Sequence, residues 1–310
     1  MKTIRGWTGL GPEERGACVA FGAFDGVHRG HARVIGQAAA IAEDIGAPLG
    51  AVSFEPHPWR WFHPDDPPFL LTDEHQQAGR FAALGVELEY VLPFDDHMAS
   101  LSAEGFAEEV LANGMGIRHI VVGFDATFGK GRTGDTELLA RLGERLGFGV
   151  TVAQAVNDAG GHKLSSTAAR KALQAGDPAT AAAILGRPFA IRGEVVQGRQ
   201  LGRTLGFPTA NVALNGYVRP RLGIYATRAR LADGRTLAGV SSIGMNPTVG
   251  EVEPRLEVFL FDFDGDLYGQ VIETELIAFL RPELRFDGLD ALVVQMKADE
   301  KTARELLAAG

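Results

Sequence analysis

The sequence predicts two folds in succession: an α/β domain with a parallel sheet over residues 1–186, and antiparallel β-structure with a terminal helix over residues 187–310. In the first part, short apolar runs alternate with helical patterns, and strand–helix–strand units at this spacing form parallel sheets covered on both faces. After "GRPF" at 186–189, apolar runs are joined by turn sequences such as "ADGR" and "DFDGD", which predict an antiparallel barrel or sandwich.

The elements follow in order. Strands are predicted at 18–24, 48–55, 88–94, 119–125 and 148–156, with helices between them at 31–45, 73–84, 103–112 and 135–146. Two further helices are predicted in "SSTAARKALQAG", ending near Gly176, and in "DPATAAAIL". A terminal helix is predicted over 288–309, because its apolar residues repeat at helical spacing.

Composition limits the function. Of 310 residues, 45% are hydrophobic and 22% are charged, as in soluble globular proteins. The net charge of -9 disfavours a nonspecific nucleic-acid binder, although a few local cations could still hold a small phosphorylated ligand. Cys18 is the only cysteine, so the chain can form neither an internal disulfide nor a cysteine-rich zinc site. With no apolar leader and no run of eighteen apolar residues, we expect a cytoplasmic, non-membrane protein.

One motif stands where the first long strand turns into a helix. It reads "FDGVHRGH" over 24–31, preceded by Gly22. Gly22 and Gly26 are expected to let the backbone turn sharply, and Gly30 to keep side-chain bulk out of the path of a phosphate. His28 and His31 would share one helix face and donate to phosphate oxygens, beside the N–H groups of the helix N-terminus. The stretch therefore predicts a phosphate-binding site.

The motif resembles the HxGH signature of nucleotidyltransferases, and the longer form resembles the family of bacterial bifunctional riboflavin kinase/FAD synthetases. The resemblance continues along nearly the whole chain. It runs through "FEPHPWRWF" (54–62), "LLT" (70–72), "FDDHMASLSAEGFAEEVL" (94–111), "VVGFDATFGKGRTGD" (121–135), "LSSTAAR" (164–170), "GRPFAIRGEVVQGRQLGRTLGFPTANV" (186–212), "RLEVFLFDFDGDLYGQ" (255–270) and "FLRPELRFDGLDAL" (279–292). It implies an N-terminal adenylyltransferase domain and a C-terminal antiparallel β-barrel kinase domain.

For the N-terminal domain the resemblance implies transfer of AMP from ATP to FMN, giving FAD and pyrophosphate. The residues expected to act in catalysis are His28, His31 and Arg170. Those expected to contact ATP or its phosphates are Gly22, Phe24, Asp25, Gly26, Gly30, Asp125, Ser165, Ser166 and Thr167. Those expected at the flavin are Phe54, Phe62, Phe128, Gly129 and Arg132. A plain helix cap is the competing interpretation of "SST".

For the C-terminal domain the resemblance implies phosphorylation of riboflavin by ATP. Thr209 and Asn211, in "GFPTAN", would hold Mg²⁺ that bridges the ATP phosphates. Glu257 would take the proton of the ribityl hydroxyl, and it alternates with Leu256 and Val258, so it should face away from them. Gly198 and Arg203 would belong to a basic loop over the phosphates. Flavins are then substrate and product rather than bound cofactors, and no nucleic acid or membrane is involved.

Three alternatives stay open. The motif "GKGRTG" (129–134) fits GxGxxG, but without a well-placed acidic partner it is weak support for a dinucleotide-binding dehydrogenase. Residues that depart from the family pattern could weaken the N-terminal activity and leave mainly a riboflavin kinase: Ala23, Gln77, Ala126, Thr127 and Ala168. A noncatalytic flavin carrier is disfavoured, because a carrier needs neither the histidine pair nor the carboxylate. In the kinase part, Asn246 and Phe259 also depart from the pattern.

Overall fold

A parallel β-sheet organises the first half of the chain in the computed structural model, which describes residues 1–157, 161, 163–198, 206–245 and 254–309. The chain forms two compact units, one of Met1–Asp66 with Glu74–Leu164 and the other of Pro67–Asp73 with Ser165–Gly310. The second compact unit thus begins its long segment at Ser165, directly after Leu164. The boundary between the two functional domains after residue 186 stays a prediction.

The first unit is built on a six-stranded sheet, in which every neighbouring pair of strands is parallel. The strands are β1 (Lys2–Arg5), β2 (Cys18–Phe21), β3 (Leu49–Glu55), β4 (Leu88–Pro93), β5 (His119–Gly123) and β6 (Gly149–Ala153). Their order is β1-β4-β3-β2-β5-β6. The predicted parallel sheet is therefore confirmed. The sequence interpretation missed β1, a four-residue edge strand in which only Ile4 is buried.

Helices cover both faces of this sheet. They are α1 (Arg29–Ile45), α2 (Pro58–Phe62), α3 (Glu74–Ala83), α4 (Asp96–Ser100), α5 (Ala103–Gly105) and α6 (Thr136–Leu146), with a π-helix at Phe106–Met115. Alternate residues of β2 supply two separate cores: Val19 belongs to one, and Cys18 and Ala20 to the other. This period of two follows from the pleat of a strand that is buried on both faces. The helix predicted at 103–112 is present, but most of it is π-helical.

The second unit is a closed antiparallel barrel with helices beside it. Its strands are β7 (Phe189–Val196), β8 (Thr209–Ala213), β9 (Gly223–Arg230), β10 (Thr236–Met245), β11 (Pro254–Leu260) and β12 (Val271–Arg281). Its helices are α7 (Ser166–Ala175), α8 (Pro178–Leu185) and α9 (Leu289–Ala308). The strand order β10-β11-β8-β7-β12-β9 closes because β9 also pairs with β10. Closure leaves the sheet without free edges, so of the two predicted architectures the structure is a barrel and not a sandwich.

A short piece of the N-terminal sequence belongs to the second unit. Leu70 of the segment Pro67–Asp73 forms a parallel bridge to Tyr217. Its N–H donates to the Gly216 carbonyl at 3.0 Å, and its carbonyl accepts from Val218 N at 2.8 Å. At the end of the segment, Asp73 pairs with Arg192 at 3.3 Å. The sequence interpretation placed this segment in the first domain, because such pairing leaves no local pattern.

Length and hydropathy together decide whether a helix can cross a membrane. Across the part of the chain that the structure describes, none is both long and apolar enough to cross a bilayer.

Two candidate active sites

The motif of residues 24–31 lies where the strand order of the parallel sheet reverses. From β2 the chain proceeds outward through β3 and β4, whereas β5 pairs on the other side of β2. The carboxyl end of β2 leads into the motif, and α1 begins at Arg29. Open parallel sheets bind ligands at the carboxyl ends of the strands beside such a reversal. The first candidate site therefore lies at the motif.

The two histidines of the motif lie against each other. His28 caps α1, and its Nδ1 accepts a hydrogen bond of 3.2 Å from the backbone N–H of His31. Their rings stack with centroids 3.6 Å apart and an interplanar angle of 19°. His28 is 7% exposed, and His31 is half-buried. The predicted shared face is present, and capping explains it, because residues three apart meet at a helix start.

The backbone of the motif turns at different residues from those expected. Gly26 has a φ of 82°, as predicted for a sharp turn. Gly22 does not occupy the left-handed region, so its backbone conformation is one that other residues could also adopt. Instead Phe24, with a φ of 52°, and Val27, with a φ of 36°, adopt positive values that cost energy for residues with a Cβ. Strained backbone of this kind persists where packing holds it, and it concentrates at functional sites.

Gly30 makes room for His28. A Cβ on Gly30 would lie 2.8 Å from Cε1 and 2.9 Å from Nδ1 of the His28 imidazole. It would also lie 3.4 Å from the Leu164 carbonyl oxygen. The predicted reason for this glycine was space for a phosphate, whereas the contact that the structure shows is with the capping imidazole.

The neighbouring residues of the motif are mostly buried. Phe24 is 1% exposed, and its ring meets those of His31 and Phe81 edge-on, at 5.1 and 5.3 Å. A nucleotide could therefore reach Phe24 only through its backbone. Asp25 is also buried. Asp125 follows β5 and is exposed, with its carboxylate paired to Lys163.

The loop after β5 is held by its own contacts. Phe128 and Gly134 exchange backbone hydrogen bonds of 3.1 and 2.9 Å, and the Phe128 ring is buried in the core. Gly129 has a φ of 73°, and a Cβ there would lie 2.5 Å from Ala103 N. The loop closes on itself before α6 begins, unlike the strand-to-helix turn of a dinucleotide-binding fingerprint. Because Phe128 is buried, its predicted flavin contact lacks a free ring face.

A cluster of aromatic rings, most of them half-buried, lies at the carboxyl ends of β3 and β4. Phe94 contacts the rings of Phe54, Phe62 and Trp61, with centroids 5.6, 5.7 and 6.3 Å away. Phe62 is 60% exposed. Phe54 and Phe62 were predicted at a flavin, and Phe94 and Trp61 were missed. The signal for Phe94 was its position directly after β4, close to the carboxyl end of the sheet where Phe54 lies near the end of β3.

Several departures from the family pattern have structural partners. Gln77 donates through Nε2 to the Ala23 carbonyl at 3.3 Å, which ties α3 to the motif loop. Thr127 Oγ1 accepts from Arg132 Nε at 2.8 Å. Ala126 packs on the core. These three positions thus have roles in holding the loops.

Ser165 and its neighbours belong to the second unit, so their placement relative to the histidines stays a prediction. Ser165 caps α7, since its Oγ accepts from Ala168 N at 3.2 Å. Thr167 is exposed and Ser166 half-buried in the first turn. Arg170 donates through Nε to the Phe69 carbonyl at 2.7 Å, and its guanidinium lies over the Phe69 ring. The plain-cap interpretation therefore holds for Ser165.

The barrel aligns the three predicted kinase residues on two adjacent strands. In the antiparallel pairing of β11 with β8, Glu257 stands opposite Asn211 and Phe259 opposite Thr209. Glu257 lies between Leu256 and Val258, which are 0% and 1% exposed. The prediction that Glu257 faces away from these two is confirmed. Directly opposite residues share a face of the sheet, so Glu257 and Asn211 point to the same side.

Two cavities meet at Thr209. The larger, of about 410 Å³, is lined by Thr209, Asn211, Gly198 and the segment 263–268. The smaller, of about 220 Å³, is lined by Thr209, Glu257, Ser242 and apolar side chains that include Phe207, Phe259 and Met296. Thr209 lines both. A group held in one cavity can therefore approach a group held in the other at this residue.

The larger cavity contains a buried amide. Asn211 is 5% exposed, and no described residue hydrogen-bonds its side chain. Gly198 lies against it, since a Cβ there would come within 2.6 Å of Asn211 Cγ. Arg203, predicted at the phosphates, and Asn246 lie outside the described residues.

A buried ion pair closes the smaller cavity and was not foreseen. Arg281, at the end of β12, forms a two-pronged contact with Asp299 of α9, with Nε–Oδ1 at 2.9 Å and Nη2–Oδ2 at 2.6 Å. Gln295 also donates to Asp299 at 2.9 Å. Leu284 and Phe286 lie between Arg281 and Asp299 in the sequence and line the same cavity, so the pair joins the two ends of the segment that carries them. An arginine and an aspartate eighteen positions apart offer no sequence signal.

Comparison with known families matches each part of the chain. Residues 11–168 match a family model described as FAD synthetase, and residues 185–307 match one described as riboflavin kinase. The chain thus combines an FAD synthetase module with a riboflavin kinase module.

Whole-chain relatives agree. A bifunctional riboflavin kinase/FMN adenylyltransferase of Pseudomonas fluorescens is 41% identical over 99% of this chain and 98% of its own. One of Bacillus subtilis is 38% identical, covering 94% and 92%. A crystal structure described as a macrolide-efflux protein from Streptococcus pneumoniae has a TM-score of 0.87 at 32% identity, covering 97% and 98%. The chain belongs to the family of bifunctional riboflavin kinase/FMN adenylyltransferases.

Proposed function

We propose that this chain makes flavin cofactors in two steps: ATP-dependent phosphorylation of riboflavin to FMN in the second unit, and transfer of AMP from ATP to FMN in the first. The observation that carries the proposal is the meeting of two cavities at Thr209, with the Asn211 amide in one and the Glu257 carboxylate in the other. A kinase needs this arrangement, because a phosphate donor and a hydroxyl acceptor must meet with a base beside the hydroxyl.

In the kinase step the ribityl chain of riboflavin enters from the smaller cavity, whose apolar walls suit the flavin ring. Glu257 accepts the proton of the terminal hydroxyl as its oxygen attacks the γ-phosphorus. The bond from that phosphorus to the β,γ-bridging oxygen breaks, and ADP leaves. The products are FMN and ADP, with the proton on Glu257.

Mg²⁺ fits the oxygen donors of the larger cavity. The Asn211 amide oxygen and the Thr209 hydroxyl are hard ligands, and neither has a hydrogen-bond partner among the described residues. No cluster of three histidine, cysteine or acidic side chains able to hold a metal occurs in the described part of the chain. Mg²⁺ commonly binds through few protein ligands together with substrate phosphates. Bound there, Mg²⁺ would neutralise phosphate charge.

In the adenylyl step an FMN phosphate oxygen attacks the α-phosphorus of ATP, and pyrophosphate leaves. His28 and His31 donate N–H groups to the phosphate oxygens, next to the N-terminus of α1. The rings around Phe94, which include the exposed Phe62 and the half-buried Phe54, are proposed to contact the isoalloxazine ring. Ser166, Thr167 and Arg170 are proposed to contact the phosphates. The proposal includes a cytoplasmic location and no nucleic-acid or membrane partner.

An assay that scores FMN and FAD separately tests both activities. Parent protein is given riboflavin with MgATP, or FMN with MgATP and pyrophosphatase, and products are separated by chromatography. Glu257→Gln should slow FMN formation by about 10²–10⁴-fold and spare FAD formation. His28→Ala should slow FAD formation and spare FMN formation.

Glu194→Gln, an exposed carboxylate on β7, is the matched control and should leave both rates unchanged. A parent that makes FMN but no FAD would instead establish the riboflavin kinase with a weakened N-terminal module. A parent that makes neither while binding flavin would establish the carrier.

A further inference from the structure

The larger cavity of the second unit carries negative charge on part of its lining, and phosphate groups do not suit that part. Its described lining includes two carboxylates, Asp264 and Asp266, and no lysine or arginine. Both carboxylates lie on the loop that connects β11 to β12, two strands that do not pair with each other. A triphosphate brought near them would be repelled, since like charges a few ångströms apart raise the free energy even in a partly hydrated site.

The two carboxylates differ in whether the loop itself uses them as hydrogen-bond acceptors. Asp266 Oδ1 accepts a hydrogen bond of 2.9 Å from Tyr268 N, which uses it in the turn. Asp264 is exposed to the cavity and has no hydrogen bond to any described residue. A second observation indicates that the same cavity holds a ligand: Asn211 also lines it, and its amide is buried without a described partner. Burying an unpaired amide is costly unless a ligand satisfies it.

The connection of the two cavities sets the direction of the nucleotide. This step rests on the proposed kinase function. The γ-phosphate is placed at Thr209, because among the described lining residues only Thr209 belongs to both the nucleotide cavity and the cavity of Glu257. The nucleoside then extends along the larger cavity, and the side chains of the loop 263–268 line that cavity but not the smaller one. Asp264 lies on that part of the lining, away from the transferred phosphate.

We propose that Asp264 is a specificity-determining residue that accepts a hydrogen bond from a ribose hydroxyl of ATP. A carboxylate accepts hydrogen bonds and cannot donate them, and the ribose hydroxyls are donors. Bonds to a charged acceptor are stronger than neutral ones. Asp264 therefore favours ribonucleotides over deoxyribonucleotides as the phosphate donor.

The test is kcat/KM for riboflavin phosphorylation with ATP, 2′-deoxy-ATP and 3′-deoxy-ATP. The parent should use at least one deoxy analogue about tenfold or more less efficiently than ATP. Asp264→Ala should lose about the same factor with ATP and nothing with that analogue. Asp262→Ala, which changes an exposed carboxylate of the same loop outside the cavity, should match the parent with all three donors.

The inference is overturned if the parent uses all three donors equally, or if Asp264→Ala slows all three by one factor. A parent that forms no FMN from riboflavin with any donor overturns the proposed kinase function itself. Matching thermal unfolding of the variants and the parent keeps a folding defect from imitating either result.

Discussion

His28 Nδ1 accepts the backbone N–H of His31 at 3.2 Å, and the two imidazole rings stack at 3.6 Å. One nitrogen of His28 is thus used inside the protein, and its ring is fixed at the start of α1. The ring is thereby held in one orientation, which the proposed role of His28 as a hydrogen-bond donor to the ATP phosphates requires.

This relationship predicts a loss of FAD synthesis from a substitution that removes no functional group. Gly30→Ala places a Cβ 2.8 Å from the His28 ring and must displace it. We expect FAD formation to fall by about 100-fold, because small misplacements of an aligned catalytic group have effects of that size. Kinase activity should be unchanged. The measurement is the rate of FAD formation from FMN and MgATP.

Gly36→Ala is the control on the same helix, since a Cβ there meets nothing within 4 Å. It should keep full activity and stabilise α1 by about 0.5–1 kcal/mol. Full FAD synthesis by Gly30→Ala would show that the position of the His28 ring is irrelevant.

A second glycine, Gly198, should affect how the kinase module binds MgATP. Gly198→Ala would drive a Cβ into the Asn211 amide, which we assign to Mg²⁺ and ATP. We expect KM for MgATP to rise by about tenfold or more, which corresponds to about 1.4 kcal/mol, with FAD formation from FMN unchanged. In an Asn211→Ala background, where the amide is gone, Gly198→Ala should add little. Additive effects of the two substitutions would contradict the contact.

The ion pair between Arg281 and Asp299 should stabilise the barrel unit and shape the riboflavin cavity. Asp299→Ala leaves a largely buried guanidinium without its carboxylate, and breaking such pairs costs about 3–5 kcal/mol. We also expect a higher KM for riboflavin, because Met296 and Leu292 of α9 line that cavity. Denaturant unfolding and steady-state kinetics measure the two effects.

The comparison is with Asp262→Ala, which breaks the exposed pair of Asp262 with Arg304 on the same helix. Exposed pairs contribute little, so unfolding should hardly change. Equal losses in the two variants would mean that burial does not set the strength of these pairs.

A buried carboxyl in the first unit should make stability depend on pH. Glu89 is 1% exposed, and burial raises the pKa of its carboxyl, with Glu74 adding to the rise and Thr3 and Arg5 opposing it. The fold thus favours the neutral form. The contribution is fully present below the unfolded pKa near 4.5 and is lost as pH rises through the higher folded pKa.

Glu89→Gln keeps an acceptor for the Thr3 hydroxyl and removes the charge. We expect the variant to unfold with about 1 kcal/mol more free energy than the parent at pH 8, and with no gain near pH 4.5. Glu144→Gln, on the exposed face of α6, should show no such trend. A gain of equal size at both pH values would refute the assignment to the buried charge.

Much of the fold could be predicted because its signals are local. The strands at β2 to β6 and the helix α1 follow from apolar spacing and from the glycine and histidine residues at their junction, all within a few residues of one another. Family resemblance then indicated the chemistry. The edge strand β1 escaped prediction because its evidence is a partner in β4, eighty-six residues away at the Thr3–Glu89 contact.

By itself the sequence determined the order of the two modules, the class of each fold and the position of the histidine motif between strand and helix. Only the tertiary structure decided that Glu257 stands opposite Asn211, that two cavities meet at Thr209, and that Arg281 pairs with Asp299. The reason is physical. Periodicity specifies which face of a strand or helix is buried, whereas register and cavities depend on which distant segments pair, and that depends on the packing of the whole unit.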